Sequence, residues 1–412
     1  MLIEITCCEV CGNNNLFSVI NLGLHPMCDD LVSVSDTRVC KEYPIEILFC
    51  EKCITAHQRF QVPKQELFPQ TYHYRSRHTG DVLSGMRELV ESCEKNCGNL
   101  SGKKVLDIGC NDGSLLSIFR EKGAKTYGIE PTSAFKDAIK NDHEGINDFL
   151  CENVANDFVK KFGHPDIITF TNVFAHIEDL KSVIRSLKIL THKDTIIIIE
   201  NHYLGAVIEK FQFDTFYHEH PRSYSCTSFV NIADSLGLQI GNVEFPSRYN
   251  GNIRVIYTPK ENQTNDASLQ SSLKLKEIFE QEKLFGEGLK KMAKKIGPWR
   301  EKKRADIVNI VKQHGKLCAK AFPGRAAILI KMLGLDADLI KAAYEKPQSG
   351  KLNHYIPGTR IPILSDDEFD LSDNKTPLLN LAWHISPEIK SYMQGRGYKG
   401  PIIDILSTAD ES

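Results

Sequence analysis

From about residue 100 to residue 200 the chain alternates two textures. Short apolar runs at residues 104–107, 125–129, 166–171 and 195–200 read as strands buried on both faces. The segments between them, at 114–122, 133–141, 153–162 and 181–191, bring apolar side chains back at helical spacing. Strand and helix in regular alternation predict a parallel, doubly wound sheet. A polar helical stretch at 82–97 leads into this unit, and the mixed elements of 204–258 close it with a strand-like run at 252–257.

The chain reads differently on either side. Residues 1–75 hold short β-prone runs such as 45–49 and turn clusters such as 12–15, with too little apolar mass for a robust core. Residues 262–316 are polar and charged, with Leu269, Leu273, Phe279, Leu284 and Leu289 at irregular helical spacing. Apolar runs at 326–335, 361–364 and 378–383 then suggest a last α/β unit. The expected organisation is three domains, at residues 1–75, 76–258 and 259–412.

Composition narrows the class. A chain of 412 residues with 41% apolar and 25% charged positions is globular, and 51 basic against 53 acidic residues leave a net charge of -2. That balance gives no general electrostatic case for nucleic acid or an acidic membrane, so an anionic ligand must be met by a few local cations. Arg222, Arg248 and Arg254 are candidates. The basic run from Lys290 to Arg304 has acidic neighbours and no aromatic interleaving, which favours a solvated helical face. The opening MLIEITCCEV carries no basic n-region or cleavage site, and no apolar run approaches the roughly 20 residues of a membrane span. A cytoplasmic, monomeric protein is expected.

Seven of the thirteen cysteines fall in the first 75 residues. An odd number without an export signal argues for reduced thiols, some of them holding metal. Cys8 and Cys11 form one C-x2-C knuckle and Cys50 and Cys53 another, the spacing that completes a closed tetrahedral four-thiolate zinc shell. No coordination position is left open, so the zinc is expected to be structural. Cys7 is an alternative to Cys8, and Cys28 and Cys40 are spare.

A second pattern runs Val105-Leu106-Asp107-Ile108-Gly109-Cys110-Asn111-Asp112-Gly113, a strand entering a glycine turn at a helix start. Such a turn lets backbone approach a ligand closely. Glu130, at the end of the next strand, offers a carboxylate for two ribose hydroxyls. The Asp before the first glycine and the Asn-Asp-Gly ending favour S-adenosylmethionine (SAM) over a dinucleotide. A third pattern is rich in histidine: Asn172-Val173-Phe174-Ala175-His176 after one strand, and Tyr217-His218-Glu219-His220 further on. Ligands bind at the carboxyl edge of such sheets, where histidines can act as bases near neutral pH. The three histidines, with Glu219 and Tyr217, are expected to converge beside the SAM pocket.

Taken together the chain resembles the three-domain SAM-dependent sugar C-methyltransferases. The resemblance rests on the two C-x2-C pairs, residues 21–26, Tyr72-His73-Tyr74, the 107–113 turn, residues 172–176, the run Phe213-Asp214-Thr215-Phe216-Tyr217-His218-Glu219-His220, and residues 357–362 and 381–383. It implies an α/β chain with a small N-terminal zinc-binding domain, a Rossmann-like SAM domain with a parallel sheet and a C-terminal α/β domain. It further implies methylation at C3 of a nucleotide-linked 4-keto-6-deoxy sugar through an enolate. His220 would be the base, His176, Tyr217 and Glu219 would orient or stabilise the enolate, and Tyr72 or Tyr74 would close over the sugar. Asp107, Gly109, Asn111, Asp112, Gly113, Glu130 and Asn172 would serve SAM. The chain departs from the family at His25, where Gln is common, and at residues 321–327, where the family carries a glycine-rich stretch.

Overall fold

The computed structural model describes residues 2–68, 75, 77, 80–260 and 265–407. Tyr72 and Tyr74 lie outside the described residues. The N-terminal region contributes strands β1 (Phe17–Pro26), β2 (Glu42–Cys50) and β3 (Thr55–Gln58). The central region contributes β4 (Lys104–Ile108), β5 (Lys125–Ile129), β6 (Glu144–Ile146), β7 (Ile167–Thr171), β8 (Ile196–His202), β9 (Arg222–Ser223), β10 (Leu238–Glu244) and β11 (Asn252–Pro259). The C-terminal region contributes β12 (Leu317–Lys320), β13 (Ile340–Glu345), β14 (Ile363–Ser365), β15 (Leu378–Asn380) and β16 (Ile402–Asp404).

Seven central strands form one sheet in the order β10-β11-β8-β7-β4-β5-β6, parallel except where β11 runs against β8 and β10. This is a Rossmann-like sheet whose strand order reverses beside β4, and the crevice at that reversal opens between β4 and β7. Both faces are covered by helices, Gly80–Cys97 and Ser114–Glu121 on one and Glu152–Phe162, Leu180–Leu190 and Cys226–Leu236 on the other, which explains the continuous apolar runs of the strands. β8 runs two residues past its apolar stretch, because Asn201 and His202 pair with Ile253 and Asn252 of β11. The antiparallel partner extends the ladder where side-chain polarity alone would end it.

The C-terminal domain repeats the idea in five parallel strands, ordered β14-β13-β12-β15-β16. Its reversal falls between β12 and β15, so its crevice is built from the segments that follow Lys320 and Asn380. The helix Phe285–His314 precedes it, burying Leu289, Met292, Ile296, Trp299 and Ile307 while most of the basic run from Lys290 to Arg304 stays exposed.

The N-terminal domain is an antiparallel sheet ordered β9-β3-β2-β1, and its fourth strand is supplied from the central region of the chain. Its small core is not separate. Val19, Ile20, Ile45, Ile47 and Phe49 belong to one apolar cluster with Trp299, Phe322, Ile328 and Leu381 of the C-terminal domain. Val32–Ser33 also pairs with His354–Tyr355 across that boundary. A domain short of apolar mass has solved the problem by sharing a neighbour's core as well as by clustering thiols.

Candidate active site

The four knuckle cysteines come together. Their sulfurs all lie within 4.8 Å of one another, with Cys8 and Cys53 at 3.3 Å and Cys11 and Cys50 at 3.7 Å. A tetrahedral zinc with bonds of about 2.3 Å sets thiolates roughly 3.8 Å apart, so the donor set fits the metal. Gly12 and Ile54 take left-handed φ of +72° and +55°, which turns each knuckle after its second cysteine. Cys7 is outside the cluster. Cys40 donates to the Asp30 carbonyl, and Cys28 faces the central cavity.

That cavity, about 790 Å³, is walled by all three domains. One end is the crevice at β4 and β7, lined by Gly109, Asn111, Glu130, Thr132, Phe149 and Asn172. Gly109 has φ +72°, and a Cβ there would lie 2.6 Å from a Val173 methyl, so only glycine keeps this turn. Glu130 is buried and takes hydrogen bonds from Asn111 N (3.1 Å), Thr132 N (2.8 Å) and Thr132 Oγ1 (2.6 Å). Oε1 takes both Thr132 donors and Oε2 takes Asn111 N alone, so Oε2 keeps acceptor capacity for a ribose hydroxyl.

Asp107, Asp112 and Gly113 shape this end without lining it. Asp107 accepts from Thr169 Oγ1 at 2.7 Å, and burial pushes its carboxyl up to about 7. Asp112 accepts from Ser114 N and Oγ, and Gly113, at φ +79°, caps the helix Ser114–Glu121. The turn, the acid and the crevice suit SAM.

The middle of the cavity is a group of imidazoles. The His220 ring lies 4.9 Å from His176, 5.6 Å from His202 and 4.2 Å from the Tyr217 ring, while Phe68 of the N-terminal domain meets His176 at 5.4 Å. His220 Nδ1 donates to the Thr215 carbonyl at 3.0 Å and His176 Nδ1 to the Glu219 carbonyl at 2.7 Å. A carbonyl can only accept, so each proton sits on Nδ1 and each Nε2 carries a lone pair. Burial holds His220 well below its usual range, with His176, His202 and Arg325 adding to it. Burial likewise takes His176 to about 4, and burial followed by Arg325 takes His202 to about 3. The group is neutral at pH 7.

Three family models match the chain in succession: a zinc binding domain at residues 8–68, a methyltransferase domain at 78–243 and a C-methyltransferase C-terminal domain at 248–402. The C-methyltransferase NovU of Streptomyces niveus is 26% identical over 405 residues, 95% of this chain and 93% of its own. The chain belongs to the three-domain SAM-dependent C-methyltransferase family. A ubiquinone biosynthesis O-methyltransferase of Escherichia coli matches only 97 residues at 33% identity, 22% of this chain and 40% of its own. The SAH-bound magnesium protoporphyrin IX methyltransferase of Synechocystis superposes with a TM-score of 0.34 at 18% identity, covering 44% of this chain and 84% of that one.

In this C-methyltransferase not every expected residue reaches the cavity. His218 turns away, its Nε2 3.1 Å from the Tyr43 carbonyl, because residues 217–220 form a tight turn in which His220 N donates to the Tyr217 carbonyl at 2.9 Å. His25 is buried elsewhere against the Leu22 carbonyl. Of the three candidate cations only Arg248 lines the cavity. Arg222 is fully buried in an ion pair with Glu9, and Arg254 is held by Glu200 and Glu244. Both are committed to internal carboxylates.

Other residues join that the sequence reading passed over. His202 arrives through the extension of β8, and His384 through the turn after β15. His384 Nδ1 has no hydrogen-bond partner among the described residues. Lys320, Arg325, Lys346 and Lys351 line the C-terminal end. Arg325 is clamped by Asp214, which also accepts from the Trp383 indole at 2.9 Å. Ala321 stands there at φ +58°, a conformation that glycine adopts without strain. No helix among the described residues is long and apolar enough to cross a membrane.

Proposed function

We propose that this C-methyltransferase acts on C3 of a nucleotide-linked 4-keto-6-deoxy sugar, with His220 as the base. The observation that carries this reading is the hydrogen bond from His220 Nδ1 to the Thr215 carbonyl, which leaves an unprotonated Nε2 on a ring facing the cavity. A proton beside a ketone is weakly acidic and calls for a positioned base together with donors at the ketone oxygen. His220 takes the C3 proton on Nε2. Because the buried ring resists a charge, the imidazolium is favoured only while the enolate sits beside it, so the two charges form as a pair.

The Tyr217 hydroxyl donates to the developing oxyanion, while His176 and Glu219 brace the His220 face of the cavity. In the same reading Tyr72 or Tyr74 closes over the sugar. Gly109, Asn111, Glu130 and Asn172 would hold SAM, with Asp107, Asp112 and Gly113 setting the turn. SAM supplies an electrophilic methyl group. The enolate carbon is the nucleophile, and the burial of the site keeps water from competing for its charge. Lys346 and Lys351, exposed and half-buried at the C-terminal end, are cations suited to a diphosphate.

The test is hydrogen exchange at the sugar. With S-adenosylhomocysteine bound and a nucleoside diphospho-4-keto-6-deoxy sugar in deuterated water, the wild-type protein should wash deuterium into C3. His220→Gln should slow this by about a hundredfold or more while S-adenosylhomocysteine affinity stays the same. An absence of exchange with thymidine-, guanosine-, uridine- and cytidine-linked keto-sugars alike would overturn the reading.

A further inference from the structure

The segment that carries His220 is anchored to the zinc-binding domain. β9 begins two residues after His220 and adds to the edge of β3, with Arg222 opposite His57 and Ser223 opposite Ala56. Ahead of it, Gln58 N donates to the Pro221 carbonyl at 2.8 Å and Gln58 Nε2 to the Tyr217 carbonyl at 3.3 Å. The reach of His218 to the Tyr43 carbonyl is a further tie to the same domain. On the far side of the loop, Ser228 Oγ donates to the carbonyls of Cys53 and Ile54, at 3.2 and 3.0 Å.

Arg222 is the centre of this anchoring. Its side chain is fully buried, and its guanidinium pairs with Glu9. It also donates from both terminal nitrogens to the Glu178 carbonyl at 3.3 Å, and through Nε to the Tyr224 hydroxyl at 2.9 Å. Glu9 stands between Cys8 and Cys11, inside the first metal knuckle. Glu178 follows His176 by two residues and lines the cavity. One planar fork therefore touches the knuckle, the loop of His176 and the strand that follows His220. A lysine, with a single point of charge, could not reach all of these at once.

We propose that Arg222 is a positioning residue that, with Glu9, couples the zinc knuckle to the two loops carrying His176 and His220. Metal occupancy and the geometry of the histidine pair then rise and fall together, since coupling between two sites is reciprocal. The inference rests on the reading of those histidines as the substrate-facing pair, but its test needs no substrate.

The full-length zinc-loaded protein, labelled with nitrogen-15 at histidine, is compared with Glu9→Gln and Arg222→Lys. Glu9→Gln keeps the shape of the side chain and all four thiolates. In both variants S-adenosylhomocysteine affinity should stay within about threefold of wild type, which reports an intact SAM end. The Nδ1–H signals of His176 and His220 should shift or broaden, and zinc loss to a chelator should become about tenfold faster or more. Stripping zinc from the wild-type protein should change the same two signals in the same direction. Unchanged histidine signals after zinc removal, or wild-type signals and zinc release in Glu9→Gln, would overturn the proposal. If Arg222→Lys does not fold, Glu9→Gln and zinc removal decide it. A failure of His220→Gln to slow exchange would count against the base assignment and leave this coupling standing.

Discussion

Asp214 carries a single negative charge on which two domains meet. Its buried carboxylate receives Arg325 Nε at 2.8 Å and Nη2 at 2.5 Å, and Trp383 Nε1 at 2.9 Å. Asp214→Asn keeps the volume but leaves the buried Arg325 cation without a counter-charge. Among the described residues its remaining acceptor is Gln212 Oε1 at 3.3 Å, and its remaining ring contact is the Trp383 face at 5.3 Å.

Removing one partner of a buried pair costs about 3–5 kcal/mol, mostly the penalty of an uncompensated charge. Arg325 lines the cavity and gains some water there, so the lower end, about 3 kcal/mol, is expected. At about 1.4 kcal/mol per tenfold, this weakens the docked arrangement by roughly two orders of magnitude. Turnover should fall with it, because the Thr215 carbonyl that orients His220 is the adjacent residue.

The assay is urea unfolding of Asp214→Asn, Arg325→Gln and the double variant. Each single variant should lose about 3 kcal/mol, and the double should lose little more than either, giving a coupling energy near 3 kcal/mol. A single Asp214→Asn cost below about 0.5 kcal/mol, or a double cost equal to the sum, would refute the argument.

Glu130→Ala should weaken S-adenosylhomocysteine binding about 10- to 100-fold by calorimetry, the worth of one hydrogen bond to a charged acceptor; affinity within twofold would contradict the ribose assignment. Cys50→Ser should lower the zinc content measured by metal analysis and reduce thermal stability, because the metal's binding energy is folding energy; full stoichiometry would remove Cys50 from the ligand set. Burial holds His143, His176 and His218 to about 4 and His202 to about 3, so below pH 6.5 the unfolded chain takes up protons that the native state refuses. Asp107, pushed up to about 7 by burial, acts in the opposite sense and offsets one proton. His220 and His384, held well below their usual range by burial, add to this, so near pH 5 unfolding should take up at least about 3 protons, and stability should fall by at least about 4 kcal/mol for each unit that pH drops. A melting temperature that stays flat between pH 6.5 and 5 would contradict this.

The central sheet was legible because strands buried on both faces announce themselves as apolar runs, and β5 falls where its run does. The meeting of the glycine turn with Glu130 at one crevice was legible because it is written locally, in one turn and one acid about twenty residues on. The knuckles were legible for the same reason, since a C-x2-C pair fixes two ligands within four residues. What escaped depends on distance along the chain. His202 was missed because a neighbouring strand, whose partner residue Asn252 is fifty positions on, decides where β8 ends. His218 was counted with His220 because a triplet of residues does not reveal the tight turn that sends their side chains apart. Arg222 looked like a free cation, and its partner Glu9 lies 213 residues earlier. His384 had no local cue, because its place depends on two domains closing on one another.

The two parallel sheets meet crevice to crevice across one cavity, each offering the loops that follow its own strand-order reversal. In the proposed reading the cofactor turn and the cations suited to a diphosphate are thereby carried on separate stretches of chain, with His176 and His220 between them. In that reading, redesign for a different nucleotide can be confined to residues 321–325 and 381–385 and the wall that follows β13, with the cofactor turn and the histidines left untouched.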